Sequence, residues 1–193
     1  MVEYKKIYED VKNTLSEKRF RHSECVVERA LEYAKIYGAN EDEVKLTAIA
    51  HDIAKEIPKN EMIQYAEEIG IELDEIEKVN LNLVHAKLGA QICKIKYGFT
   101  EDMVNAVKYH TTGRENMSLL EKITYLADAT DSGRTYDDLQ YYVDLVRKDI
   151  DRGVFEVCKW SLEDLLEKER IIHLESVKCY NFYNKLICNR NNT

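Results

Sequence analysis

The sequence predicts an all-α fold. Hydrophobic residues make up 45% of the 193 residues and charged residues 33%, whereas the chain contains only seven glycines and one proline. This balance favours long helices with few interruptions over strands joined by turns. The length suits one packed core rather than two, so we expect a single domain over residues 1–193, built as a helical bundle.

The first helices are predicted from apolar residues that recur at spacings of three and four, which places them on one helical face. One such face is formed by Tyr4, Ile7, Tyr8, Val11 and Leu15, and a second by Val26, Val27, Ala30, Leu31 and Ala34, ending before Gly38. A third helix is expected over 41–55, because the residue before Pro58 is disfavoured in the α region. Two more are expected over 59–69 and 83–97, each followed by a glycine that can end it.

The next predicted helix starts with a cap. Thr100 precedes two acidic residues, a pattern typical of a helix N-terminus, and this helix should run to His110 and end by Gly113. Further helices are expected over 118–128, over about 137–166 with a bend or break near Gly153, and over 169–186. The polar residues 189–193 should fray.

The charge of the chain limits its partners. Lys plus Arg is 28 and Asp plus Glu is 36, a net charge of −8, so nucleic acid is not an expected partner and a polyanionic substrate would need a local cationic pocket. The sequence has no run of about 20 apolar residues and opens into a charged amphipathic segment, so we expect no membrane association and a cytoplasmic location. The five cysteines form no Cys-x-x-Cys pair, which predicts reduced thiols rather than disulfides or a zinc knot.

Four of the five histidines form a series with two aspartates. In chain order the series is His22, His51-Asp52, His85, His110 and Asp128. Imidazole nitrogens and carboxylate oxygens together suit iron, manganese or zinc. Adjacent helical side chains diverge by about 100°, so His51 and Asp52 can share one metal only near the end of their helix, with His22 and Asp128 arriving from neighbouring helices.

Two of these histidines and one lysine leave alternatives open. His85 or His110 taken alone is also explained as a hydrogen-bonded core histidine, whereas joint convergence of the other four groups favours a metal because unpaired buried charge is costly. Lys55 lies four residues after His51 and shares its predicted helical face. It could contact a phosphate or be a solvated lysine near a helix C-terminus.

At these residues the chain resembles the HD-domain phosphohydrolase superfamily, and the flanking residues resemble its YqeK-type symmetrical diadenosine tetraphosphate hydrolases. The resemblance covers nearly the whole chain. It runs through residues 19–23, 50–55, 85–90, 109–114, 123–128 and 133–134, of which Arg19-Phe20-Arg21-His22 and Tyr109-His110-Thr111-Thr112-Gly113-Arg114 are the most specific.

The resemblance implies an HD-type bundle with a metal site between helices and assigns roles to individual residues. The implied metal ligands are His22, His51, Asp52 and Asp128, with iron as the ion. His85, His110 and Lys55 would be catalytic, and the metal-binding core would span about 19–134 while helices over about 137–188 close a nucleotide pocket. The implied nucleotide contacts are Arg19, Arg21, His22, Lys55, His85, His110, Thr111, Asp128, Arg134, Ile172 and His173.

The chain departs from the family pattern beside this pocket. It carries Asp131-Ser132 where the family usually has a Glu-Pro pair, and the residues after Arg134 are more polar than usual. Asp131 lies about one helical turn after Asp128, so its carboxylate could hydrogen-bond a metal ligand.

The resemblance implies symmetrical cleavage of diadenosine tetraphosphate to two ADP, with ADP-like or GDP-like products and a homodimer as an expected assembly. The alternatives are an HD phosphohydrolase acting on mononucleotides, deoxynucleotides or a guanosine alarmone, and a non-catalytic nucleotide-binding regulator. A cyclic-dinucleotide phosphodiesterase is disfavoured, because no Gly-Tyr-Pro triplet follows the His-Asp dipeptide.

Overall fold

The computed structural model describes residues 3–191, and within this range it contains eleven α-helices and no strand. The all-α prediction is confirmed. The helices are α1 (Tyr4–Thr14), α2 (Glu17–Tyr37), α3 (Glu41–Ala50), α4 (Lys59–Glu68), α5 (Glu75–Val79), α6 (Val84–Tyr97), α7 (Glu101–Tyr109), α8 (Leu119–Thr130), α9 (Leu139–Lys148), α10 (Ile150–Glu167) and α11 (Leu174–Asn191).

The main core lies where α3 packs against α2, α7 and α8, with α1 covering its outer side. Its fully buried side chains include Ile49 on α3, Val107 on α7 and Leu126 on α8. This packing brings the C-terminal ends of α3 and α7 beside the last turns of α8. A smaller apolar cluster, which includes Met62, Ala66 and Leu88, fastens α4 to α6.

The third helix ends five residues earlier than predicted. It stops at Ala50 rather than Lys55, and residues 51–56 form a series of turns. Hydrogen bonds that span three residues, from Ile53 N to Ala50 O and from Lys55 N to Asp52 O, replace the four-residue bonds of an α-helix. His51 therefore lies at the end of a helix, where its neighbour Asp52 can turn toward the same side.

The helix predicted over 137–166 is broken near Gly153, as expected. The break lies at Asp149, whose side chain accepts hydrogen bonds from the backbone of Asp151 and Arg152 and so starts α10. Gly153 lies inside α10. A side chain would not fit at this position, because a Cβ atom there would come within 2.6 Å of Cγ2 of Val146 on α9. Its glycine serves the close approach of α9 and α10 rather than a bend.

Two further differences concern a short helix and the C-terminal helix. The short helix α5 was not predicted. The last helix begins at Leu174 and continues through Asn191, so residues 189–191 are helical rather than frayed. Arg190 pairs with Asp149 and Asp151 at the start of α10, which holds this end of α11 in place. Residues 192 and 193 lie outside the described range. Among residues 3–191, no helix combines the length and apolarity needed to cross a membrane.

Candidate active site

The four predicted metal ligands meet in one place. His22 comes from the second turn of α2, His51 from the end of α3, Asp52 from the following turn, and Asp128 from α8. Nε2 of His22 lies 3.1 Å from Oδ1 of Asp128, and Nε2 of His51 lies 4.0 Å from the same oxygen. Nε2 of His51 also lies 3.8 Å from Oδ2 of Asp52. Side chains distant in sequence thus present nitrogen and oxygen donors to a common space.

The orientation of three imidazoles is fixed by the backbone. Each places Nδ1 close to the carbonyl oxygen three residues earlier: His51 at 2.7 Å from Ala48, His85 at 2.6 Å from Asn82, and His110 at 2.7 Å from Val107. A carbonyl only accepts hydrogen bonds, so Nδ1 carries the proton in each ring. Nε2 then keeps a free lone pair and faces the cluster.

Two buried atoms at the centre of the cluster accept no hydrogen bond from the described residues. They are Nε2 of His51 and Oδ1 of Asp52. Nε2 of His85 lies 3.1 Å from this oxygen and Nε2 of His110 lies 3.4 Å from it, but neither nitrogen has a proton to donate when Nδ1 carries it. Nζ of Lys55, 3.4 Å from the same oxygen, forms an ion pair with it but no hydrogen bond. Burying such acceptors without a partner is costly. A divalent cation would satisfy both, so the donor set fits a metal.

Burial and charge set the protonation of the ligands. Burial lowers the pKa of His51 to about 4, which leaves its imidazole neutral near pH 7. Burial also opposes charge on His22, but hydrogen bonds to Asp128 and Asp131 outweigh it and raise the pKa of His22 to about 9. Burial opposes the charge of Asp128 as well, yet the bond to His22 holds its pKa below the usual range.

Asp131, which stands where the family pattern usually has a glutamate, contacts the predicted ligand His22. Its carboxylate is buried, with Oδ2 at 3.3 Å from Nδ1 of His22 and 2.9 Å from Nε of Arg134, while Oδ1 accepts a hydrogen bond from Gly133 N. The shorter aspartate therefore still contacts a predicted ligand, as a carboxylate behind a metal-bound imidazole does.

The three predicted catalytic residues lie on the other side of Asp52. The Nε2 atoms of His85 and His110 are 3.2 Å apart. Nζ of Lys55 lies 2.9 Å from Nε2 of His85 and 3.4 Å from Oδ1 of Asp52, although Lys55 belongs to the turn and not to α3. Thr111 Oγ1 lies 3.1 Å from Nε2 of His110. Burial lowers the pKa of His85, so this ring is neutral near pH 7.

Most of the predicted nucleotide contacts line one of two clefts. The large cleft has a volume of about 640 Å³ and the small cleft about 130 Å³. The small cleft contains Thr111 and His173, and Nε2 of His173 lies 2.8 Å from Oδ2 of Asp74 on the rim of α5. Ile172 is half-buried and lines neither of these two clefts, and the predicted contacts His85 and His110 are buried and line neither of them. The large cleft is lined by the predicted residues Arg19, Arg21, His22, Lys55, Asp128 and Arg134.

Some residues around the clefts were not identified from the sequence. Lys18 lines the large cleft, and Glu56 bonds to Ser16 and Arg19 at its edge. Lys18 lies four residues before His22, a spacing that could have indicated the shared face. Arg114, part of the most specific motif, instead makes two hydrogen bonds to the buried Glu121 and stabilises the start of α8.

A comparison with protein families matches residues 19–133 to the HD domain. The chain belongs to the HD domain family. The matched segment begins at Arg19 and ends at Gly133, and so contains all four candidate ligands of this HD domain protein. The family resemblance predicted from the sequence is confirmed.

Individual relatives of this HD domain protein have more specific names. A protein from Halalkalibacterium halodurans named symmetrical bis(5'-nucleosyl)-tetraphosphatase is 35% identical over 89% of this chain and 91% of its own. A Staphylococcus aureus protein of the same name is 30% identical over 90% of each chain. A solved chain from Clostridium acetobutylicum, described as a predicted HD superfamily hydrolase involved in NAD metabolism, superposes with a TM-score of 0.91 at 31% identity and covers 96% of this chain and 98% of its own. The roles of individual residues stay predictions.

Proposed function

We propose that this HD domain protein hydrolyses dinucleoside polyphosphates and splits diadenosine tetraphosphate symmetrically into two ADP. The observation that carries this proposal is the pair of unsatisfied buried acceptors, His51 Nε2 and Asp52 Oδ1, at the base of a cleft lined by cationic side chains. Such a donor set suits a metal, and the cations suit polyphosphate despite the net charge of −8. The relatives named symmetrical tetraphosphatases support the same substrate.

His22, His51, Asp52 and Asp128 would hold the metal, which we propose to be iron, with manganese or zinc as alternatives of similar ligand preference. A bound divalent metal acidifies water and withdraws charge from a phosphate oxygen. Asp131 would hold the imidazole of His22 in place during this reaction, since the Asp131 carboxylate contacts Nδ1 of His22.

The other side chains would orient the phosphates and supply a proton. In the hydrolysis, water forms a new bond to one of the two central phosphorus atoms, and the bond from that phosphorus to the bridging oxygen breaks. The bridging oxygen leaves with the second ADP. Arg134 and Lys55 offset the phosphate charge. Nε2 of either His85 or His110 takes up the proton that the attacking water releases and passes it to the leaving phosphate, since both Nε2 atoms face the cluster with a free lone pair.

The deciding experiment is product analysis by chromatography. Purified protein supplied with iron under reducing conditions should convert diadenosine tetraphosphate to ADP alone, and an Asp52→Asn variant should release none. ATP and AMP as primary products, or no hydrolysis, would overturn the proposal. Turnover restricted to mononucleotides, deoxynucleotides or a guanosine alarmone would support the first alternative, and binding without turnover would support a regulator. Assembly as a homodimer and a cytoplasmic location stay predictions.

A further inference from the structure

The large cleft extends beyond the metal ligands along the start of α2. Lys18 and His22 both line it, and they are separated by four residues on the same helix. Four residues correspond to about 6 Å along a helix axis, so Lys18 stands at the mouth of the cleft while His22 stands at its base. The side chain of Lys18 is exposed, which leaves its ammonium group free to meet a ligand in the cleft.

Lys18 differs from the other cations of this cleft in its pairing. Arg19 pairs with Glu56, Arg21 with Glu24, Lys55 with Asp52, and Arg134 with Asp128 and Asp131. For Lys18, no carboxylate of residues 3–191 lies within ion-pairing distance of the ammonium group. An incoming anion therefore meets a positive charge that no internal partner neutralises.

The position of Lys18 within α2 is also unfavourable for the helix alone. The first turn of a helix carries the positive end of the helix dipole, where acidic side chains stabilise and cations do not. Lys18 and Arg19 both occupy this turn, followed by Arg21. The start of the helix is nevertheless anchored, because the carboxylate of Glu56 accepts hydrogen bonds from N and Oγ of Ser16. The backbone that carries Lys18 is thus fixed beside the cleft.

The two clefts adjoin the same imidazole. Oδ1 of Asp52, which lines the large cleft, lies 3.1 Å from Nε2 of His85. Oγ1 of Thr111, which lines the small cleft, lies 3.5 Å from the same nitrogen. A symmetrical dinucleotide that is attacked at its central anhydride places one half on each side of the bridging oxygen, and the half that keeps this oxygen is the leaving half. The cleft with the unpaired cation suits the half whose phosphates gain charge as the bond breaks.

We propose that Lys18 binds the phosphates of the leaving half of the substrate and thereby selects a dinucleoside polyphosphate over a mononucleotide. This inference rests on the proposed function. It makes Lys18 a specificity-determining residue, distinct from Arg134 and Lys55, which lie against the carboxylates at the base of the cleft.

The test compares two ligands on the iron-loaded protein by calorimetry. One is a diadenosine tetraphosphate analogue with a methylene group in place of the central bridging oxygen, which resists cleavage, and the other is ADP. Lys18→Gln should weaken binding of the analogue about three- to fivefold, the upper part of the range for one exposed charged contact, while ADP affinity changes less than about twofold. Lys18→Arg should retain the affinity of the wild type for the analogue.

The matched control is Lys35→Gln, at the other end of α2, where the lysine is exposed and does not line the cleft. It should leave both affinities unchanged. An equal loss for the analogue and ADP in Lys18→Gln, or no loss for either, would overturn the inference. If the wild-type protein failed to hydrolyse diadenosine tetraphosphate but Lys18→Gln still weakened only the analogue, the proposed function would fail, while the selection of a dinucleotide over a mononucleotide by Lys18 would stand.

Discussion

Nδ1 of His22 lies 3.3 Å from Oδ2 of Asp131, while Nε2 of the same ring faces Asp128 at 3.1 Å. The carboxylate of Asp131 is itself fixed by Gly133 N and by Arg134. A buried carboxylate that accepts a hydrogen bond from the imidazole nitrogen facing away from the metal orients the ring and increases the basicity of the other nitrogen. Asp131 should therefore control how well His22 binds a metal without being a ligand.

Asp131→Asn should lower iron affinity about 10- to 100-fold, the usual effect of losing such a partner. Asp131→Glu restores the residue type that the family pattern usually has here and should retain most of the affinity. A competition titration with a metal chelator measures the affinities. Equal affinity in the wild type and Asp131→Asn would show that His22 needs no support from Asp131.

Removal of a proposed ligand should have a stronger effect. Asp52→Ala should eliminate stoichiometric iron and hydrolysis together, because the variant loses both carboxylate oxygens beside His51. Elemental analysis and circular dichroism should show metal loss with helix content preserved. Full metal occupancy and activity in Asp52→Ala would refute the four-ligand assignment.

Arg134 and Lys55 should separate phosphate binding from metal binding. Each cation lies beside a proposed ligand carboxylate, Arg134 Nη2 at 2.9 Å from Asp128 and Lys55 Nζ at 3.4 Å from Asp52. Arg134→Gln and Lys55→Gln should each weaken nucleotide binding about tenfold to a hundredfold, as expected for a charged hydrogen bond. Iron content should not fall, since each change removes a cation that competes with the metal. Calorimetry and elemental analysis on the same samples test both statements, and unchanged nucleotide affinity in both variants would remove these residues from the phosphate site.

Local signals in the sequence predicted most helices, because they act over a few residues. Thr100 caps α7 by accepting a hydrogen bond from Met103 N, and Ser118 caps α8 in the same manner. The short helix α5 has five residues, too few for a periodic apolar face, and depends on the capping box of Asp74 and Glu77. The sequence predicted a break near Gly153 but not its position at Asp149, because the role of Gly153 is set by its close approach to Val146 on α9.

The residue types of the site indicated its chemistry before its geometry was known. The imidazole and carboxylate ligands were predicted as a set, and the structure brings His22, His51 and Asp128 within 4.8 Å of one another through their donor atoms. The unpaired state of Lys18 and the separation of His173 from the large cleft depend on tertiary packing. Local spacing accounts for the pairs of Arg21 with Glu24 and Lys55 with Asp52, which are three residues apart. It gives no indication of the pair of Arg19 with Glu56.

Two glycines with similar backbone conformations offer a matched test of packing beside the site. Gly113 has φ of +63° and Gly38 has φ of +69°, but a Cβ atom at Gly113 would lie 2.7 Å from Sγ of Cys179, whereas one at Gly38 would meet nothing within 4 Å. Gly38→Ala should cost about 1 kcal/mol from backbone strain. Gly113→Ala should cost about 2–4 kcal/mol, because overpacking adds to that strain. Urea denaturation measures both, and equal losses would show that α11 shifts freely away from this loop.

The pairing of Asp151 should make stability depend on pH. Oδ1 of Asp151 lies 2.7 Å from Nζ of Lys122, and Arg190 contacts the same carboxylate, joining α8, α10 and α11. Burial opposes charge on Asp151, but the hydrogen bond from Lys122 outweighs it and lowers the pKa of Asp151 below its ordinary value of 3.8. The stabilisation is therefore fully present above this value and is lost as pH falls through the folded-state pKa.

Asp151→Asn should lower the free energy of unfolding by about 1 kcal/mol at neutral pH, the upper range for a partly exposed ion pair. The difference from the wild type should shrink as the pH falls below about 4, because protonation of Asp151 removes the same charge that the substitution removes. Urea denaturation at a series of pH values measures this, with Asp137→Asn at an exposed position as the control. A difference that stayed constant into the acid range would mean that Asp151 stabilises the protein through packing or neutral hydrogen bonds rather than through its charge.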